Sequence, residues 1–178
     1  MPHPVDPTPM TIQIGQALPD VEVTVIEDGA PARRMSTASL LGQGRVVLFA
    51  VPGAFTPTCS DHHLPGYVQH FEAFRELGVG VVGMAVNDVY VMQAWAAVQQ
   101  VPPGMKLLAD GNGGFARALG LEFDGTAYGM GLRARRFALY AEDGVVRQLH
   151  VEAPGEFRVS TAEAVLQALK APEAGTTG

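Results

Sequence analysis

The chain holds a single cysteine, Cys59. It stands within Pro52-Gly53-Ala54-Phe55-Thr56-Pro57-Thr58-Cys59-Ser60-Asp61-His62-His63-Leu64-Pro65-Gly66, a run whose residue types suit thiol chemistry. Pro52 and Gly53 turn the chain at the end of an apolar stretch. Pro57 and Thr58 are helix-start residues, proline being favoured in a first turn and threonine able to cap. Cys59 is thereby expected in the first turn of a helix, where unpaired backbone N–H groups and the positive end of the dipole favour an anion. Such a position lowers a thiol pKa from about 8.5 to between roughly 3.5 and 7.5. Thr56, three residues earlier, can direct its hydroxyl at the sulfur or at a ligand oxygen. The competing reading is a structural cysteine packed as a small hydrophobe. That reading gives no reason for a turn of Pro, Gly, Thr and Pro at a strand edge.

One cysteine excludes an internal disulfide and any multi-thiolate zinc or iron–sulfur centre. His3, His70 and His150 are scattered, so Cys59, Asp61, His62 and His63 are not read as metal ligands. No metal and no cofactor is expected. Gly111-Asn112-Gly113-Gly114 lacks the Gly-Lys-Ser/Thr ending of a phosphate loop and reads as a loop and helix start.

The elements that must hold Cys59 follow from hydrophobic spacing. Val21–Ile26 alternates apolar and polar residues, as a half-exposed strand does, and Asp28-Gly29 suits a hairpin turn. Val46–Val51 is continuously apolar and fits a strand covered on both faces. From about Thr58 to Leu77 apolar residues recur at helical spacing, with Gly78 as the stop. Val79–Val86 is a second buried strand, and Asp88 caps a helix over Val89–Gln99. Lys106–Ala109 forms a short strand, and Asp110 or Asn112 caps a helix ending at Leu119-Gly120. Arg136–Ala141 and Val145–Val151 flank the turn Glu142-Asp143-Gly144. Ser160, with Glu163 three residues on, has the capping-box pattern for a last helix to Lys170. The expected fold is α/β: a mixed central sheet with helices on both faces and an N-terminal β-hairpin.

Composition sets the outer limits. Of 178 residues, 47% are hydrophobic and 17% charged, which excludes a wholly disordered chain. The formal charge of −6 supplies no basic stripe for nucleic acid. Residues 1–10 carry four prolines and read as a disordered lead-in, 11–171 as one domain, and 172–178 as a flexible tail. No secretory signal is visible, and the apolar runs fall short of the ~20 residues a membrane span needs. A reducing, cytoplasmic location without a membrane partner is expected.

The run from Pro52 to Ser60, with His63-Leu64-Pro65-Gly66, resembles the active-site signature of the peroxiredoxins, in particular the atypical type II, peroxiredoxin-five-like branch. Ala85-Val86-Asn87-Asp88 with Val91–Trp95, Leu107–Gly111 with Phe115–Leu121, and Gly129–Ala138 are similar to further segments of that family. The resemblance covers about residues 12–170 and implies a thioredoxin-like fold. It implies that Cys59 is the peroxidatic cysteine, Thr56 the hydroxyl partner of sulfur and peroxide, and Pro52 the shield against water. It makes Arg136, ahead of Phe137, the arginine paired with thiolate and reacting oxygens. If Arg136 faces the site along a strand, Arg135 should point away. Phe55, Thr58, His63 and Leu132 are implied around the pocket or at a dimer face, with His63 either catalytic or a helix-packing residue.

The chemistry implied is reduction of hydrogen peroxide or an organic hydroperoxide, with Cys59 becoming a sulfenic acid. Many members of the branch carry a resolving cysteine, in one subgroup where Gly83 stands and in another where Val159 and Ser160 stand. Neither place holds one here, so a one-cysteine enzyme is expected. Its reductant would be external: glutathione with or without glutaredoxin, or thioredoxin. A homodimer is implied. The alternatives are a peroxide-sensing redox protein with little turnover, and a silent, chaperone-like domain with an ordinary thiol.

Overall fold

The computed structural model describes residues 11–170. The expected segments 1–10 and 172–178 lie outside them. Asp28-Gly29 closes the hairpin of β1 (Glu22–Glu27) and β2 (Ala30–Ser36), with Gly29 at φ 82°. A short helix that the pattern did not announce, α1 (Thr37–Leu41), follows; the Ser36 hydroxyl accepts from Ser39 N and caps it. The apolar runs then become β3 (Arg45–Val51) and β4 (Val79–Ala85), with β5 (Lys106–Ala109) beside them.

β3, β4 and β5 pair in parallel at the centre of the sheet, as both-face burial predicts. The hairpin joins β5 through β1, and β8 (Phe137–Glu142) with β9 (Val145–Val151) joins the other side of β3. The seven strands run β2-β1-β5-β4-β3-β8-β9. The mixed sheet carries a core on each face. One holds Phe49, Tyr67, Phe74, Trp95 and Val165, the other Leu48, Met84, Phe115, Leu119 and Phe137. Each such side chain, fully buried, contributes roughly 1.5–3 kcal/mol.

The helix expected over residues 58–77 is three pieces. Cys59–His63 is a π-helical turn, α2 covers Leu64–Gln69, and α3 covers Phe71–Glu76 after a break at His70. Pro65 explains the first irregularity. It has no N–H to give the Asp61 carbonyl and its ring crowds that oxygen, so the preceding turn widens. α4 (Val89–Val98) is capped by Asp88, whose side chain accepts from Val91 N. α5 (Gly114–Leu119) is served by buried Asp110, which accepts from Phe115 N and Ala116 N at 3.0 and 2.9 Å. Asn112 is not the cap.

The last helix, α6 (Ala162–Lys170), starts later than expected. Thr161 Oγ1 accepts from Ala164 N, while Ser160 Oγ donates to Glu152 instead. The capping box at Ser160 is not formed. Residues 121–135, outside every expected element, contain a second small sheet of β6 (Glu122–Asp124) and β7 (Leu132–Ala134). Among the described residues, no helix is long and apolar enough to cross a membrane.

Candidate active site

β3 ends at Val51, and the chain turns through Pro52 and Gly53 into a loop fixed by short bonds. Ala54 N donates to Asn87 Oδ1 at 2.9 Å, and Thr56 Oγ1 donates to Gly53 O at 2.6 Å. A Cβ on Gly53 would lie 3.1 Å from both Arg133 Nη1 and Thr56 Cγ2, so the turn has little room for a side chain. Helical backbone begins at Pro57, and Ser60 N donates to Thr56 O at 2.9 Å. The residue ahead of the helix is therefore Thr56, not Thr58. Its hydroxyl proton is committed to Gly53 O, which leaves the oxygen as an acceptor.

Cys59 opens the π-helical turn. The next residue is pinned from α4: Trp95 Nε1 donates to Ser60 Oγ at 2.9 Å and Gln99 Nε2 to Ser60 O at 3.1 Å. Trp95 is fully buried, and a buried indole N–H needs such a partner. Helical spacing from Val91 and Val98 marks Trp95 only as a core or interface residue, and nothing in the sequence singles out Gln99.

Arg136 reaches this region from the bend just before β8. Its Nη1 lies 2.9 Å from His63 Nδ1, and its guanidinium carbon lies 5.6 Å from the centre of the Phe157 ring. His63 Nε2 is 3.0 Å from Ser160 O, which also accepts from Tyr67 Oη at 2.8 Å. The tautomer follows from the partners. Guanidinium only donates and carbonyl only accepts, so Nδ1 is the acceptor and Nε2 carries the proton. His63 has no exposed surface, and burial together with the Arg136 charge pushes its pKa down to about 3. It is a neutral acceptor for arginine at physiological pH. Phe49, stacked on Tyr67 with centroids 4.0 Å apart, closes the site from the sheet side.

A loop from Glu152 to Ser160 forms the opposite wall. Glu152 Oε2 accepts from the backbone N–H groups of Arg158, Val159 and Ser160 at 2.7–2.8 Å and from Ser160 Oγ at 2.7 Å. Burial opposes ionisation of this carboxyl, but bonds from Ser160, Arg158 and Val159 outweigh it and hold the pKa below the ordinary range. Between this loop and the Pro52–Thr58 turn lies a cleft of about 520 Å3. Pro52, Thr56, Thr58 and Arg136 line it, with Phe123, Tyr128, Met130 and Phe157 supplying apolar wall.

The structure thus brings Pro52, Thr56, Thr58 and Arg136 to one cavity and places His63 behind Arg136 as its partner. Phe55, half exposed at φ 65°, is not part of the lining. Leu132 is not either: a Cβ on Gly113 would meet its Cδ2 at 2.4 Å, so it packs on that turn. Arg135 does not point away. Residues 135 and 136 fall between β7 and β8, outside the alternation of a strand, and both line the cleft. Asn87, Glu152 and Ser160 were not recognised as site residues. Asn87-Asp88 was visible as a strand-to-helix turn, but nothing periodic marks Glu152 or the Ser160 carbonyl. Among the described residues, no cluster of three His, Cys, Asp or Glu is placed to hold a metal ion.

Sheet order, flanking helices and a cleft at the carboxyl end of β3 define a thioredoxin-like α/β protein. Residues 13–166 match the family described as Redoxin. The chain is 42% identical over 168 residues to chloroplastic peroxiredoxin-2E of Arabidopsis thaliana, covering 91% of this chain and 72% of that one. It superposes on reduced Prx3 of Vibrio vulnificus, solved in complex with hydrogen peroxide, with a TM-score of 0.84 and 42% identity, covering 90% and 100% of the two chains. Peroxiredoxin 5 of Alvinella pompejana gives a TM-score of 0.77 at 32% identity, covering 89% and 98%. The chain belongs to the peroxiredoxin family, and its relatives support an oxidoreductase of the peroxidase kind.

Proposed function

We propose that this peroxiredoxin is a one-cysteine, peroxiredoxin-five-like enzyme that reduces hydroperoxides through a Cys59 thiolate and is recycled by an external thiol. The observation that carries the reading is the convergence of Pro52, Thr56 and Arg136 on one cleft at the start of the helix that Cys59 enters. A thiolate attacks one peroxide oxygen, the O–O bond breaks, and its electron pair leaves on the second oxygen. Arg136, permanently charged, stabilises that developing charge, and the departing oxygen takes a proton to leave as water or an alcohol. Thr56 Oγ1 accepts from the peroxide O–H and orients it. Pro52 and the apolar wall exclude water, which strengthens each of these interactions.

The cysteine is left as a sulfenic acid. With no second cysteine in the chain, an external thiol condenses with it, releasing water and forming a mixed disulfide. A second thiol then frees Cys59. Glutathione, with or without glutaredoxin, is our first assignment for that thiol, and thioredoxin the second. The lone cysteine also favours a reducing compartment, which we take as the cytoplasm, and the family resemblance favours a homodimer.

The test is peroxide consumption with a panel of glutathione, glutathione plus glutaredoxin, and thioredoxin, on wild type and Cys59→Ser. Turnover with at least one donor that vanishes in the serine variant is expected. Full turnover by Cys59→Ser would overturn the reading. One stoichiometric burst without recycling by any donor would favour a peroxide sensor, the second reading, which the missing resolving cysteine motivates.

A further inference from the structure

Glu152, on the loop opposite the Pro52–Thr58 turn, is bonded to Arg136 through its main chain and, through its side chain, to the loop that reaches His63. The Glu152 side chain is 4% exposed, and its Oε2 gathers four donors from Arg158, Val159 and Ser160. Its main chain is tied to both arginines: Glu152 N donates to Arg136 O at 3.0 Å, and Arg135 Nη2 to Glu152 O at 3.4 Å. Among the described residues, Oε1 has no hydrogen-bond partner although it is buried. A carboxylate kept half unpaired in the interior is a poor packing group. The four bonds to its other oxygen offset that cost by fixing the loop at residues 158–160.

With the Ser160 N–H and hydroxyl both held on Oε2, the next peptide plane is fixed, and the Ser160 carbonyl is aimed at His63 Nε2 and Tyr67 Oη. His63 is thereby held with its proton on Nε2, which leaves Nδ1 as the acceptor that seats Arg136. The same loop carries Phe157 over the guanidinium. We propose that Glu152 is a positioning residue for the peroxidase reaction, acting through the Ser160 carbonyl and the His63 tautomer to hold Arg136 against the cleft. This rests on the functional reading above for its catalytic consequence, but not for its structural one.

Two variants test it. Glu152→Gln keeps one acceptor oxygen without the charge that holds four donors on it, and Glu152→Ala removes the acceptor altogether. Two readouts are taken: the nitrogen-15 NMR spectrum of His63, which distinguishes Nε2–H from Nδ1–H, and the second-order rate of Cys59 with hydrogen peroxide. Wild type should show one tautomer, Nε2–H. Glu152→Gln should show a mixture and a rate lower by roughly threefold, and Glu152→Ala a larger mixture and a loss of roughly tenfold or more. If the alanine variant does not fold, the glutamine variant decides. A folded Glu152→Gln with an unchanged His63 spectrum overturns the proposal, whether or not its rate falls. The spectrum does not depend on turnover, so a wild type that reduced no peroxide would sink the functional reading and leave the relay separately tested.

Discussion

Arg136 Nη1 and His63 Nδ1 meet at 2.9 Å, with the histidine fully buried and its second nitrogen closed off by Ser160 O. An arginine can hold a histidine this way only while the ring is neutral. The pairing therefore converts a residue that ordinarily titrates near neutrality into a fixed acceptor.

This has a consequence for stability against pH. The native His63 pKa is lowered to about 3, first by burial and then by the Arg136 charge. Below about pH 6.5 the unfolded chain takes up a proton that the native histidine refuses, so stability falls on acidification until native His63 also protonates. Near pH 5 the loss from this group is about 2 kcal/mol. Urea unfolding of wild type and His63→Gln at neutral pH and near pH 5 checks it. His150, also lowered by burial, acts in the same direction and cancels in the comparison. An identical pH dependence in the two proteins would contradict the buried neutral ring.

Replacing the arginine itself separates charge from geometry. Arg136→Lys keeps the charge but not the planar fork that bonds His63 while bordering the cleft. Stopped-flow oxidation of Cys59 by peroxide should slow by about a hundredfold, the range seen when one preorganised donor is lost. The fold should persist, because the core beneath Phe137 does not depend on the guanidinium.

Thr56 offers a cleaner contrast. Its hydroxyl donates to Gly53 O at 2.6 Å, and the oxygen is left to accept. Thr56→Ser retains both functions and should keep the peroxide rate within about threefold, whereas Thr56→Val should lose about a hundredfold. Equal rates in the serine and valine variants would remove Thr56 from the mechanism.

Gly83 shows why a second cysteine cannot be placed on β4 by simple substitution. A Cβ there would sit 2.6 Å from Phe49 Cζ and 3.0 Å from Leu107 Cδ2. Phe49 is stacked on Tyr67 and cannot yield without disturbing the wall behind His63. Gly83→Ala should destabilise by about 1–3 kcal/mol in urea unfolding, and Gly83→Cys by at least as much.

Much of this was legible in the chain. The Asp28-Gly29 hairpin, the buried strands before Pro52 and before Asn87, and the Asp88 cap all rest on local chemistry between neighbours, and each stands within a residue or two of where spacing put it. Cys59 at a helix entrance is of the same kind. Residues 121–135 were opaque because strands of three residues are too short to establish a period.

The one-dimensional pattern by itself determined that an apolar strand turns through Pro52 and Gly53 into a helix bearing the lone cysteine, because propensity and periodicity act over a few residues. Only the tertiary structure decided that Pro65 widens that helix into a π-turn, that Thr161 rather than Ser160 caps α6, and that Arg135 shares the cleft with Arg136. It alone decided the partnership of Glu152, Ser160, His63 and Arg136. These groups are joined by hydrogen bonds spanning up to 97 positions in the chain. A bond of that span depends on how sheet and loop pack, which no local pattern encodes.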